Sequence, residues 1–68
     1  MKVFAKKELR QARMKHGFSL RALAQASGVA HVNLCHIENG SALTPTTAQK
    51  ICAALGANFD DIFELKEG

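Results

Sequence analysis

Phe18-Ser-Leu-Arg-Ala-Leu-Ala-Gln-Ala-Ser-Gly28-Val-Ala-His-Val-Asn-Leu-Cys-His-Ile37-Glu-Asn-Gly40 carries two short helical patterns on either side of one glycine. Ser19 is placed to cap a helix running to about Ala26, with Leu23 and Ala24 on its inner face and Phe18 packing inward just ahead of the cap. Gly28 permits a turn at positive φ, which a residue with a Cβ resists. A second helix is expected from about Ala30 or His31 to Glu38, burying Val29, Leu34 and Ile37. Asn39-Gly40 then stops it.

Outward from this stretch the same punctuation continues. Ala5, Leu9 and Ala12 fall at helical spacing among charges, and Gly17 is positioned to end a helix of about Ala5 to His16. Downstream, Thr44 caps and Pro45 opens a helix whose apolar stripe is Ala48, Ile51, Cys52 and Leu55, because proline at the first helical position forfeits no intrahelical bond. Asn58 with Asp61 resembles a capping box for a fifth, short helix carrying Phe59, Ile62 and Phe63. No segment has a strand pattern, and Val3 and Phe4 either extend the first helix or form a short packing arm. The expected fold class is all-α, a compact five-helix bundle.

Composition and charge narrow the function. With 68 residues there is room for one domain, residues 1–68, which buries only about 60% of its unfolded surface. No apolar run approaches the roughly 18 residues of a bilayer span, and charges follow the first four residues where a secretory segment would be apolar. A cytoplasmic protein with no membrane partner is expected. Cys35 and Cys52 lie inside helical patterns without CxxC spacing, which favours reduced thiols over a bridge. The net charge is +3, but its distribution is uneven. Lys2, Lys6, Lys7, Arg10, Arg13, Lys15 and Arg21 are opposed near the start only by Glu8, whereas Asp60, Asp61, Glu64 and Glu67 crowd the end against Lys66. A basic half suits a polyanion docked on one side, although solvated helix faces give the same pattern.

A helix of about seven residues, a glycine-bearing turn of three and a second helix of similar length is helix-turn-helix geometry, with the helix-turn-helix at about 19–38. Its second helix can lie in a DNA major groove. Ala24 is small where the two helices pass closely. The ordered set Leu9-Arg10-x-x-Arg13, His16-Gly17-Phe18-Ser19, Leu23-Ala24, Gly28-Val29, Leu34, Ile37-Glu38-Asn39-Gly40, Ile51-x-x-x-Leu55-Gly56 and Asp61-Ile62-Phe63 resembles the Cro/C1-type helix-turn-helix family, which includes phage repressors and many bacterial regulators.

The resemblance implies a lambda-repressor-like DNA-binding domain that regulates transcription, as a repressor, by inserting helix three into the major groove of double-stranded DNA. By position, His31, Val32, Asn33 and His36 take the base-contacting role, and their chemistry allows it. Asn pairs with adenine, His donates to or accepts from a base edge, and Val meets a thymine methyl. Phosphate contacts are expected from Ser19 and Leu20 at the start of helix two, from Arg21, from Asn39, and from the loop bounded by Ser41 and Thr44. Arg13 and Glu38 match a structural ion pair tying helix one to the end of helix three. The pattern is broken in three places. Leu20 stands where a phosphate-contacting glutamine is common, Ala30 replaces a capping Ser or Thr, and the loop from Ser41 to Pro45 has no basic residue. Arg10, Arg21 and Lys50 are available to compensate. Relatives commonly act as homodimers on paired half-sites, and here the C-terminal region with Phe59, Phe63 and Leu65 is the candidate surface, although Phe59 and Ile62 are expected simply to close the core.

Two other function classes fit parts of the sequence. A metalloenzyme would draw on His31, Cys35 and His36, but tetrahedral zinc needs four ligands and no second pair lies at usable spacing. No nucleophile elbow or glycine-rich phosphate loop is present either, so no enzyme, cofactor or small-molecule ligand is expected. A protein-interaction module on the same fold, such as an antitoxin or accessory subunit, would use Leu20, Val32 and Leu43 if these are exposed.

Overall fold

Leu9, Leu23, Leu34 and Ile51 come from four different helices and are all completely buried, so those helices converge on one core. The computed structural model describes residues 1–67. Its elements are β1 (Lys2–Ala5), α1 (Lys7–Lys15), α2 (Leu20–Ser27), α3 (His31–Glu38), α4 (Pro45–Leu55), α5 (Phe59–Ile62) and β2 (Phe63–Lys66). No described helix is long and apolar enough to cross a membrane.

Local chemistry accounts for the helix ends. Ser19 accepts a hydrogen bond on Oγ from the Ala22 N–H at 3.1 Å, satisfying one of the amides left open in the first turn of α2. Thr44 does the same for the Thr47 N–H at 3.2 Å, with Pro45 next in line. At α5 no side-chain cap forms. Asp61 donates its N–H to the backbone carbonyl of Asn58 at 3.1 Å, so the capping-box reading of Asn58 and Asp61 is corrected to a plain backbone turn.

The all-α expectation is corrected to a mostly helical fold with a small antiparallel sheet. β1 and β2 pair with Lys2↔Lys66, Val3↔Leu65, Phe4↔Glu64 and Ala5↔Phe63 in register. Ala5 thus belongs to a strand, and α1 starts only at Lys7. Phe63 likewise leaves α5, with extended φ and ψ of −129° and 163°. The reason is tertiary. Four residues offer too little alternation to mark a strand, and the partners stand at opposite ends of the sequence with no hairpin turn between them. Val3 and Phe63 drive the pairing by burial, at 2% and 1% exposure.

The sheet also settles the apolar residues near it. Phe63 and Ile62 close the core, Phe59 packs partly against it, and only Leu65 stays exposed. Leu20 and Leu43, expected on the surface as protein-binding groups, are half-buried against the core. Leu43 is further held by its N–H donating to the Val3 carbonyl at 3.0 Å.

Candidate nucleic-acid interface

α2 and α3 are joined by a turn clamped from both sides. Gly28 adopts φ 76° and ψ 13°, the left-handed conformation, and its N–H donates to the Ala24 carbonyl at 2.9 Å. Ser27 Oγ donates back to the Leu23 carbonyl at 2.7 Å and accepts the Val29 N–H at 3.2 Å. Val29 itself is buried. Ser27 was not singled out from sequence, although a serine just before a helix-ending glycine is a recognisable local signal. The turn therefore fixes the angle at which α3 leaves α2.

α3 is eight residues, about 12 Å long at 1.5 Å per residue. Leu34 and Ile37 plug it into the core, and Val32, Asn33 and His36 face outward. At about 100° per residue these three occupy one continuous arc, with His36 between the other two. Val32 is 61% exposed. His31 stands off that arc, half-buried, with its Nε2 3.9 Å from the Cys35 Sγ. Ala30, at the N-cap position, supplies no side-chain cap, so the first amides of α3 remain open.

The rear of α3 is anchored by charge. Arg13 Nε donates to Glu38 Oε2 at 2.7 Å, Nη2 to Oε1 at 3.2 Å, and Nη1 to the Phe18 carbonyl at 2.9 Å. The two side chains are only 11% and 9% exposed. A single guanidinium fork thus joins α1, the start of the α2 approach and the last residue of α3.

Around this probe the polar groups divide into free and engaged. The N–H groups of Leu20 and Arg21 lie in the first turn of α2, where no intrahelical partner exists, and the Arg21 side chain is exposed. Asn39 is exposed, while its N–H is shared between the carbonyls of Cys35 and His36. In the loop, the Ser41 N–H donates to His36 O at 2.9 Å and the Leu43 N–H is taken by Val3. Thr44 Oγ1 is engaged by Thr47. Asn33, His36, Ser41 and Thr44 nevertheless line one shallow concavity beside α3.

The basic half is thinner than its composition implies. Arg13 is buried, and Lys6 Nζ donates to the Asp60 carbonyl at 3.1 Å. Lys7 and Arg10 are exposed and share a concavity with Glu38 and Gly40 at the far end of α3. Sequence reasoning did not pick out Lys7, because only the packing of α1 across α3 brings it to that end.

A family model described as helix-turn-helix matches residues 9–62. The chain belongs to the Cro/C1-type helix-turn-helix family. This family is one of DNA-binding helix-turn-helix regulators. No curated protein and no solved structure gave a match. The matched span takes in the helices from Leu9 onward and stops short of both strands.

Proposed function

We propose that the described residues act as one sequence-specific double-stranded DNA-binding unit, a cytoplasmic repressor that occupies its operator as a homodimer. The observation that carries this reading is the two-sided character of α3. Leu34, Ile37 and the Arg13–Glu38 pair lock its inner side, which leaves Val32, Asn33 and His36 as a rigid outward face. A helix about 10–12 Å across fits a B-form major groove about 12 Å wide. In that pose Asn33 pairs with adenine, His36 meets a base edge, Val32 packs on a thymine methyl, and the half-buried His31 reaches a base edge only from the flank of this face.

Phosphates are held by the open amides of Leu20 and Arg21 at the α2 N-terminus, by Ser19, Arg21 and Asn39 side chains, and by Ser41 and Thr44 beside α3. Lys7 and Arg10 add charge at the opposite end. Few of these groups are cations, so the salt dependence of binding is shallow, because its slope counts neutralised phosphates. The molecule measures 31 × 21 × 18 Å and presents one recognition helix. Two copies on half-sites about 34 Å apart supply the surface that strong site selection needs. The competing protein-interaction reading draws on exposed Val32, but the other two apolar residues it would use, Leu20 and Leu43, are half-buried against the core.

Selection of duplexes from a random DNA pool, followed by anisotropy titration at two salt concentrations, tests the reading. Asn33→Ala and His36→Ala are expected to lower affinity for the selected site by about 5- to 150-fold each, equivalent to about 1–3 kcal/mol, with the melting temperature unchanged. Absence of duplex binding at low ionic strength refutes it, and a slope of ten or more ion pairs per dimer contradicts the sparse phosphate anchoring.

A further inference from the structure

The strand pair plays no part in the DNA reading above and lies outside the residues matched to the family. Its two edges are unequal. β1 has β2 along one side, and on the other it is bridged at Val3 by Leu43, whose N–H donates to the Val3 carbonyl at 3.0 Å. β2 is therefore the edge strand of the described sheet.

The direction of each main-chain group on that edge follows from parity. Because the Val3 carbonyl points toward Leu43, the pair Val3↔Leu65 is one whose main-chain groups face away from each other. The bond from the Lys6 N–H to the Ile62 carbonyl, at 2.9 Å, continues the same register and marks the alternate pairs as the bonded ones. Hence Leu65 directs both its N–H and its C=O off the free edge. The Phe63 carbonyl points the same way, its N–H being bonded to Phe59 O within α5. Leu65 is also 53% exposed, although it shares a sheet face with buried Val3 and Phe63.

We propose that β2 pairs with β2 of a second copy of this chain, antiparallel about a two-fold axis at Leu65, to give a four-stranded sheet across the dimer. In this register each Leu65 N–H donates to the other copy's Leu65 carbonyl, and the two side chains cover one another. Glu64 falls opposite Lys66 of the other copy, twice by symmetry. Edge strands that avoid self-pairing present lysines or charges of one sign. Here the signs alternate about Leu65, so the edge is complementary to itself. Within one chain Lys66 faces Lys2 in register and reaches Glu64 only along its own strand, at 3.5 Å and exposed. The second copy provides the better-placed carboxylate.

This surface rests on the homodimer part of the proposed function, and sedimentation equilibrium without DNA separates the two. The wild-type chain is expected to associate to a dimer at low ionic strength. Leu65→Pro removes an N–H that points away from β1, so the sheet within the chain survives while dimerisation is lost. Glu64→Lys and Lys66→Glu each turn two attractive pairs repulsive and weaken self-association by about tenfold or more, yet an equimolar mixture of the two variants restores a heterodimer. This pair keeps the test valid should the proline variant fail to fold. A monomeric wild type at millimolar concentration overturns both the surface and the homodimer, leaving the edge to a strand from another protein. A dimeric wild type whose Leu65→Pro variant also dimerises, or a charge-swapped mixture without heterodimer, overturns the surface alone.

Discussion

Replacing Arg13 with alanine removes three hydrogen bonds together, two to the Glu38 carboxylate and one to the Phe18 carbonyl. It leaves Glu38, whose side chain is 9% exposed, without its counter-charge. Breaking a buried pair from one side costs about 3–5 kcal/mol. The remaining exposure lets some water reach the carboxylate, so the low end, about 3 kcal/mol, is the expected loss. For a domain of this size 1 kcal/mol shifts the melting temperature by about 4–8 °C, which makes the expected drop about 12–24 °C. Total stability of such a domain is only about 3–10 kcal/mol, so Arg13→Ala sits near the limit of folding. Arg10→Ala is the control, since Arg10 is exposed on the same helix and its loss should change stability by less than about 0.5 kcal/mol. Thermal melts followed by far-UV circular dichroism, run on both variants in one buffer, give the comparison. A further variant, Arg13→Met with Glu38→Leu, should recover most of the lost stability because no unpaired charge remains. Equal melting temperatures for Arg13→Ala and Arg10→Ala refute the claim that this pair anchors α3.

Gly28→Ala tests the turn. An added Cβ would meet nothing within 4 Å, so the expected cost, about 1–2 kcal/mol, is conformational and comes from φ 76° alone. An unchanged melting temperature removes the argument that a left-handed residue is required there. Burial pushes the Cys52 thiol above its ordinary value, with a backbone hydrogen bond opposing in part. The folded state thus holds the proton more tightly than the unfolded chain. This contribution is fully present below the pKa of an unfolded thiol, about 8.5, and is lost as pH rises through the folded value. Urea titrations across that range should show stability falling with pH in the wild type and a smaller slope in Cys52→Ala. The same slope in both places the effect elsewhere.

Much of this molecule is decided locally. Ser19, Thr44 and Pro45 begin helices because each meets the open amides of a first turn or does without one, and these groups act within three residues of themselves. The spacing of Leu23, Val29, Leu34 and Ile37 places one face of α2 and α3 inward, and what is left on α3 becomes the probe. α3 runs from His31 to Glu38, where periodicity put it.

Amino-acid order alone therefore determined α2, α3 and α4, the turn at Gly28 and the outward placing of Val32, Asn33 and His36, but it also put the half-buried His31 in that set and Ala5 and Phe63 in helices. Tertiary packing decided the rest. Residues Lys2–Ala5 have no strand until Phe63–Lys66 arrives from the other end of the chain to bond with them. Leu20 and Leu43 look exposed until the core claims them, and Lys7 comes to the end of α3 only when α1 crosses it. The physical reason is range: capping and periodicity are settled within a turn or two of helix, whereas edge pairing and burial depend on groups that only folding brings together.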